Sequence, residues 1–168
     1  LCIVFQSRRA KIFFKQYLAG QAKQTAWMPE IFAIEEFVQQ LSALRIIDPI
    51  DLLFEFFEVY QKTGGPESFD QVIQWGQTLI EDFSDADHYL VSADALFNHL
   101  TDVKAIEQWD PGDHNLTDFQ VRYLAFWRSF GPLYEAFRGH LTSQRKGYQG
   151  MVFRDVAENI DKSVPDRR

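Results

Sequence analysis

The chain has one cysteine, Cys2, in 168 residues. That excludes a disulfide framework and a cysteine-based zinc site within the chain, and a reducing compartment is the natural reading. A lone free cysteine is expected to face a core as a small hydrophobe. Long apolar runs are also missing, so no membrane span is expected. The start lacks a basic n-region and a small-residue cleavage site, so it does not read as a signal peptide. There is no GK[ST] phosphate loop, no G-x-G-x-x-G and no G-x-S-x-G elbow. The four histidines, His88, His99, His114 and His140, show no ligand spacing. Pro165-Asp166 is a "PD" dipeptide, but no strand with Glu-x-Lys follows it. Asp82, Asp85, Asp87 and His88 lack the alternating oxygen ligands, glycine and terminal Glu of a calcium loop. That stretch reads as a solvated acidic connection. No catalytic set is complete, and neither ATP turnover nor metal-dependent cutting is expected of this chain, which implies no catalytic residue, no metal and no cofactor.

What is present is ample apolar content, 46%, with 16 Phe. That is enough for a core and rules out disorder by composition. Net charge is −7, unevenly spread. Residues 1–65 carry seven acidic and seven basic residues, 66–118 carry twelve acidic and one basic (Lys104), and 119–168 carry five acidic and nine basic. The middle repels nucleic acid, and the two ends can approach it.

The first twenty residues carry the sharpest site signal. Five apolar residues (1–5) lead through Gln6-Ser7 into Arg8, Arg9 and an amphipathic run with Ile12, Phe13, Tyr17 and Leu18. This is the pattern of strand, loop and helix. Ligands of α/β folds collect at the carboxyl ends of strands, and a helix N-terminus favours anions. An apolar strand at residue 1, with no Met before it, reads as part of something longer. A second strand is expected within 26–34, with Pro29 demoting its start, and strand signal ends there.

Helices are expected over 35–44, from Asp48-Pro49 to about Thr63, from Ser68 to about Phe83, and from Ser92 onward. Gly64-Gly65-Pro66 closes the second of these. A turn is expected at 110–113. A long helix should open at Thr117 with Phe119, Tyr123 and Phe130 inward, and Gly131-Pro132 should kink or interrupt it. Residues 144–150 read as a basic loop, 151–160 as a last helix, and the tail as frayed. Val72, Ile73, Leu79 and Ile80 are expected to face inward. Leu53, Phe56, Tyr60, Phe126 and Trp127 are expected core residues; the aromatic stripes fall at core spacing and read as packing rather than base-stacking surfaces, with Trp27 and Trp75 the two whose exposure decides it. The fold class is mainly α with a small α/β edge: an edge over 1–36 and a helical part over 37–168.

A series of short motifs then matters by its order. It runs S-R-R-A after the first strand (Ser7 to Ala10), W-x-P-x-I-F-x-I-x-x-F (Trp27 to Phe37), D-P-I-D-L-L-F-E-F-F-E-V-Y (Asp48 to Tyr60), S-F-D (Ser68 to Asp70), F-S-D-A-D-H-Y-L (Phe83 to Leu90) and Y-Q-G-M-V-F-R (Tyr148 to Arg154). The series resembles the N-terminal region of AddB-like helicase–nuclease proteins, which join superfamily 1 helicase domains to a PD-(D/E)xK nuclease. The resemblance implies a partial RecA-like (P-loop NTPase type) element followed by an inserted helical subdomain. It implies that Ser7, Arg8, Arg9 and Lys11 contact single-stranded DNA, as helicase motif Ia does. Gln6 stands where that family usually has Pro. Arg145, Lys146 and Arg154 are secondary basic candidates. ATP and Mg would belong to the parent protein, whose phosphate loop would precede Leu1 and whose nuclease motif would follow Arg168. The implied partners are single-stranded DNA, the rest of the parent chain and a helicase partner subunit, in the cytoplasm and away from membranes. The alternative is a helical protein–protein interaction module without DNA contact.

Overall fold

The computed structural model describes residues 1–25, 27–93, 95–97, 99–100 and 118–160. The expected turn at 110–113, the helix start at Thr117, His114, the side chain of Phe119 and the tail lie outside the described residues. In order, the elements are β1 (Cys2–Phe5), α1 (Arg8–Gln21), β2 (Glu30–Ala33), α2 (Ile34–Leu41), β3 (Arg45–Ile46), α3 (Pro49–Lys62), α4 (Phe69–His88), α5 (Asp118–Ser143), β4 (Lys146–Gly147) and α6 (Gln149–Glu158). The chain is mainly helical, with two small parallel strand pairs. No helix among the described residues is long and apolar enough to cross a membrane.

The α3 boundaries follow from local chemistry. Asp48 Oδ1 accepts from Ile50 N at 2.9 Å, and Pro49 fills the first helical position, where no N–H is needed. At the far end Gly64 takes φ +90°, and Gly65 N–H reaches back to Tyr60 O at 2.9 Å, closing a left-handed helix cap. Leu52, Leu53, Phe56, Val59 and Tyr60 line the buried face. Phe56 has no exposed surface and meets Phe137 of α5 edge-on at 5.3 Å.

α4 is longer than its sequence pattern suggests. The helix continues past Phe83 to His88, so the expected acidic connection is helical, and Asp87 is fully buried. Tyr134 Oη and Tyr148 Oη each donate to its carboxylate at 2.5 Å. Arg154 Nε lies 2.7 Å from Oδ1, an ion pair without aligned hydrogen-bond geometry. Arg154 Nη2 also donates to Ala86 O at 3.0 Å and Val91 O at 2.5 Å. The buried charge therefore has a close counter-charge, a second cation in Arg138, whose Nε lies 3.9 Å away, and two neutral donors, as a buried carboxylate requires. Burial first, and then Asp87, push both phenols up, so they remain neutral donors.

α6 packs closely on α4. A Cβ at Gly150 would stand 1.8 Å from Ser84 O, so only glycine allows this approach, and Gly150 N donates to Ser84 Oγ at 3.0 Å. α5 continues through Gly131-Pro132 as one helix, so of the expected kink or interruption the interruption does not occur. Buried Leu133, Tyr134, Phe137 and Leu141 hold that part of it in the core. On the helices, two side chains expected inside are exposed: Phe126 at 37% and Ile73 at 45%. Phe126 sits at the rim, its ring 6.0 Å from Trp75 and 4.7 Å from Phe130. Trp127 is half-buried against the core.

β1 and β2 pair in parallel from Cys2↔Glu30 to Phe5↔Ala33, with α1 as the crossover. β2 is shorter than the expected 26–34 because it starts after Pro29. β3 and β4 form a second, unexpected parallel pair, Arg45↔Lys146 and Ile46↔Gly147, too short to show a period in sequence. The expected division at 36/37 falls inside α2, whose end is tied to α6 by Ser42 Oγ donating to Asp155 Oδ2 at 2.5 Å. α1 has no buried residue, and Cys2 is exposed rather than in a core. In the described residues β1 has a neighbour on one edge only, and Cys2 and Val4 on it are exposed while Ile3 and Phe5 are half-buried.

Glu55 joins α3 to the end of α5 and to β4. It pairs with Lys146 Nζ, meets His140 Nε2 at 2.6 Å and accepts from Gln144 Nε2 at 3.1 Å. The Lys146 bond foremost, with those of His140 and Gln144, pulls its carboxyl down to about 2.

Three outcomes follow. Phe56→Ala should cost about 3–5 kcal/mol in urea unfolding, as for buried aromatics, and a loss under about 1 kcal/mol would contradict its burial. Arg154→Ala, which removes the nearer counter-charge of Asp87 and leaves Arg138 Nε at 3.9 Å, should cost up to about 3–5 kcal/mol, and full stability would show that the Arg154 pair is not buried. A carboxyl held below its unfolded value stabilises above that value and loses the contribution as pH falls through the folded one. Glu55→Gln should therefore lower Tm at neutral pH and flatten the loss of Tm between about pH 5 and 2. A parallel, uniformly shifted acid profile would refute this role for Glu55.

Candidate nucleic-acid interface

Ser7 turns the chain from β1 into α1. It is the helix cap, with extended φ −143° and ψ 154°, and its Oγ accepts from Ala10 N at 3.2 Å. The hydroxyl is thus engaged in starting the helix that presents the arginines. Arg8 and Arg9 occupy the first turn of α1, just beyond the carboxyl end of β1, and both are exposed. No acidic side chain lies in that first turn, so the N–H ends of the helix add to the positive potential.

The acids that face it come from α2. Arg8 Nη2 lies 3.8 Å from Glu35 Oε2, and its Nε lies 3.9 Å from Glu36 Oε1. Its side chain keeps 70% of its exposure, so these long pairs restrain it weakly. Lys11 is held more firmly, at 2.5 Å from Glu36 Oε2, with 19% exposure. Glu36 Oε2 also accepts from Ala33 N at 3.0 Å. The Lys11 bond, and then the Ala33 N–H, hold its carboxyl below the usual carboxylate range.

The secondary basic candidates do not join this site. Arg154 is buried, 8% exposed, and committed to Asp87, Ala86 and Val91, so its guanidinium is part of the interior rather than an open basic contact. Lys146 is paired with Glu55. Arg145 is exposed, in a turn with φ +55°. The basic residues are thus distributed over separate acidic partners on α2, α3 and α4.

Glu55, Glu58 and His140 bring possible ligand atoms within 4.8 Å of one another. These residues could hold a divalent ion only by displacing Lys146 from Glu55 and Lys62 from Glu58. Asp82, Asp85 and His88 are exposed, while Asp87 points away from them into the interior. Trp27 is fully exposed. Trp75 is half-buried and lines, with Phe126 and Trp127, a cavity of about 690 Å³.

Sequence reasoning reached Arg8, Arg9 and Lys11 and weighed pairing of the arginines with a surface acid such as Glu30; the acids that face Arg8 and Lys11 are Glu35 and Glu36. The available signal was Glu36 three residues after Ala33, where a capping carboxylate reaches back to the chain. Compared with protein-family models, curated proteins and solved structures, the chain matches none.

Proposed function

We propose that this chain is the α/β edge and helical subdomain of an AddB-like DNA repair helicase–nuclease subunit. In this reading the parallel β1–α1–β2 unit belongs to a RecA-like domain of the cytoplasmic parent, and the helices guide DNA. The contact with single-stranded DNA is made at Ser7, Arg8, Arg9 and Lys11. ATP and Mg act elsewhere in the parent, and neither hydrolysis of ATP nor cutting of DNA occurs on this chain. The observation that carries the proposal is the position of Arg8 and Arg9: exposed, in the first turn of α1, at the carboxyl end of β1. Planar, permanently charged guanidinium groups there suit phosphate oxygens.

A second reading has its own support. Ile12, Phe13 and Tyr17 are 53–64% exposed on α1, as a protein-docking helix would be. In that case the chain is an interaction module without DNA contact.

Fluorescence anisotropy with an oligo-dT strand separates the two. Two phosphate contacts on a single strand give a log–log salt slope near about −1.4, a small term opposed by the net charge of −7. Binding should be undetectable at physiological salt and visible at low salt. Replacing both Arg8 and Arg9 by Ala should weaken it about equally for all sequences and flatten the slope by about one unit. Unchanged affinity and slope would favour the interaction module.

A further inference from the structure

Arg8, Lys11 and Lys15 stand at i, i+3 and i+7 on α1, the spacing that aligns side chains on one helix face. This face borders a groove of about 450 Å³ between α1 and α2. Lys11 and Lys15 form one wall, Glu36, Gln39 and Gln40 the other, and Phe32 part of the floor. Three kinds of group converge here: ammonium groups for a phosphate, amides for base or sugar edges, and an aromatic face for a base. A single strand uses this combination. One carboxylate interrupts it. Glu36 Oε2 sits 2.5 Å from Lys11 Nζ, and Oε1 lies 3.9 Å from Arg8 Nε. The carboxylate has the charge and the acceptor oxygens that a bridging phosphate would bring to the same two cations.

We infer that the groove between α1 and α2 is a second phosphate subsite, continuing the strand path from Arg8 and Arg9 to Lys15, and that Glu36 occupies it as an internal competitor. A backbone phosphate enters by displacing Glu36 from Lys11. The inference rests on the single-strand reading above. Glu36 has a local reason to be where it is, since it also accepts from Ala33 N at the start of α2. The groove is therefore closed electrostatically without any moving segment, and the Lys11 bond that keeps Glu36 charged also keeps it in place.

The test is Glu36→Gln in the full chain, probed with oligo-dT at low salt. Gln keeps an acceptor for Ala33 N–H and removes the competing charge. Affinity should rise about two- to fivefold, the range that an exposed ion pair commands. The salt slope should steepen by about 0.7, one further phosphate contact. Lys15→Ala in the same background should reverse both changes. Gln39→Glu, an exposed substitution on α2, gives an independent arm should Glu36→Gln unfold. It adds a negative charge to the groove and should weaken binding about two- to fivefold. Arginine-dependent binding that Glu36→Gln and Gln39→Glu leave unchanged would overturn the subsite and spare the reading beneath it. Binding that does not depend on Arg8 and Arg9 at all would overturn both.

Discussion

Asp87 is a carboxylate with no solvent contact, and the arrangement of the helices depends on the groups that neutralise it. A charge in that position is tolerated only with a counter-ion and donors at close range. Each comes from a different place: Tyr134 from α5, Tyr148 from the cap of α6 and Arg154 from within α6. A shift of either helix would strip the charge of part of this set. The same Arg154 grips the end of α4. There the chain leaves the helix with Leu90 at φ +55°, and Val91 N bonds Ala86 O at 2.9 Å. A leucine in that conformation costs on the order of 1–2 kcal/mol. The two hydrogen bonds from Arg154 Nη2 to the carbonyls of Ala86 and Val91 offset it.

The two parts of the molecule are built to different standards. Around Asp87, close backbone approach at Gly150 and edge-on rings such as Phe83 on Tyr134, at 5.2 Å, give a tightly interlocked body. The β1–α1–β2 unit is thin. α1 buries no residue, and its ion pairs to α2 are the exposed ones of Arg8 with Glu35 and Glu36 and the part-buried one of Lys11 with Glu36. The basic residues proposed to meet DNA lie on this thin unit, where a guanidinium can stay in water. Arg154 shows the converse: the same side chain in the interlocked body becomes a structural counter-ion.

Net charge and local potential also separate. The chain as a whole repels a polyanion, yet the first turn of α1 contains two arginines and no acid. Glu35 and Glu36 lower that potential from the facing helix rather than from α1 itself. Which carboxylates face Arg8 and Lys11 is thus set by how α1 and α2 pack on β2.

Local chemistry made much of this legible. Asp48-Pro49 and Gly64 bounded α3 because a cap and a left-handed glycine act within four residues of chain. The Phe56 face and the strand–loop–helix of residues 1–21 followed from periodicity, and Arg8 and Arg9 were placed at a strand end by the same reading. The end of α4 was not legible, since Leu90 carries no turn signal and its conformation is held by Arg154, more than sixty residues away. The same distance hid the roles of Asp87 and Arg154. An acidic run and a late arginine each read as solvated until the fold brings them within 2.7 Å and removes the water. Phe126 misled in the opposite sense, because helical spacing marks a stripe but not how far the neighbouring helices extend over it. Sequence by itself determined where helices start and which faces are apolar, through interactions a few residues long. Tertiary structure alone decided which charges are buried, which cations remain exposed and which acid faces them, because those depend on desolvation and on pairs drawn from distant parts of the chain.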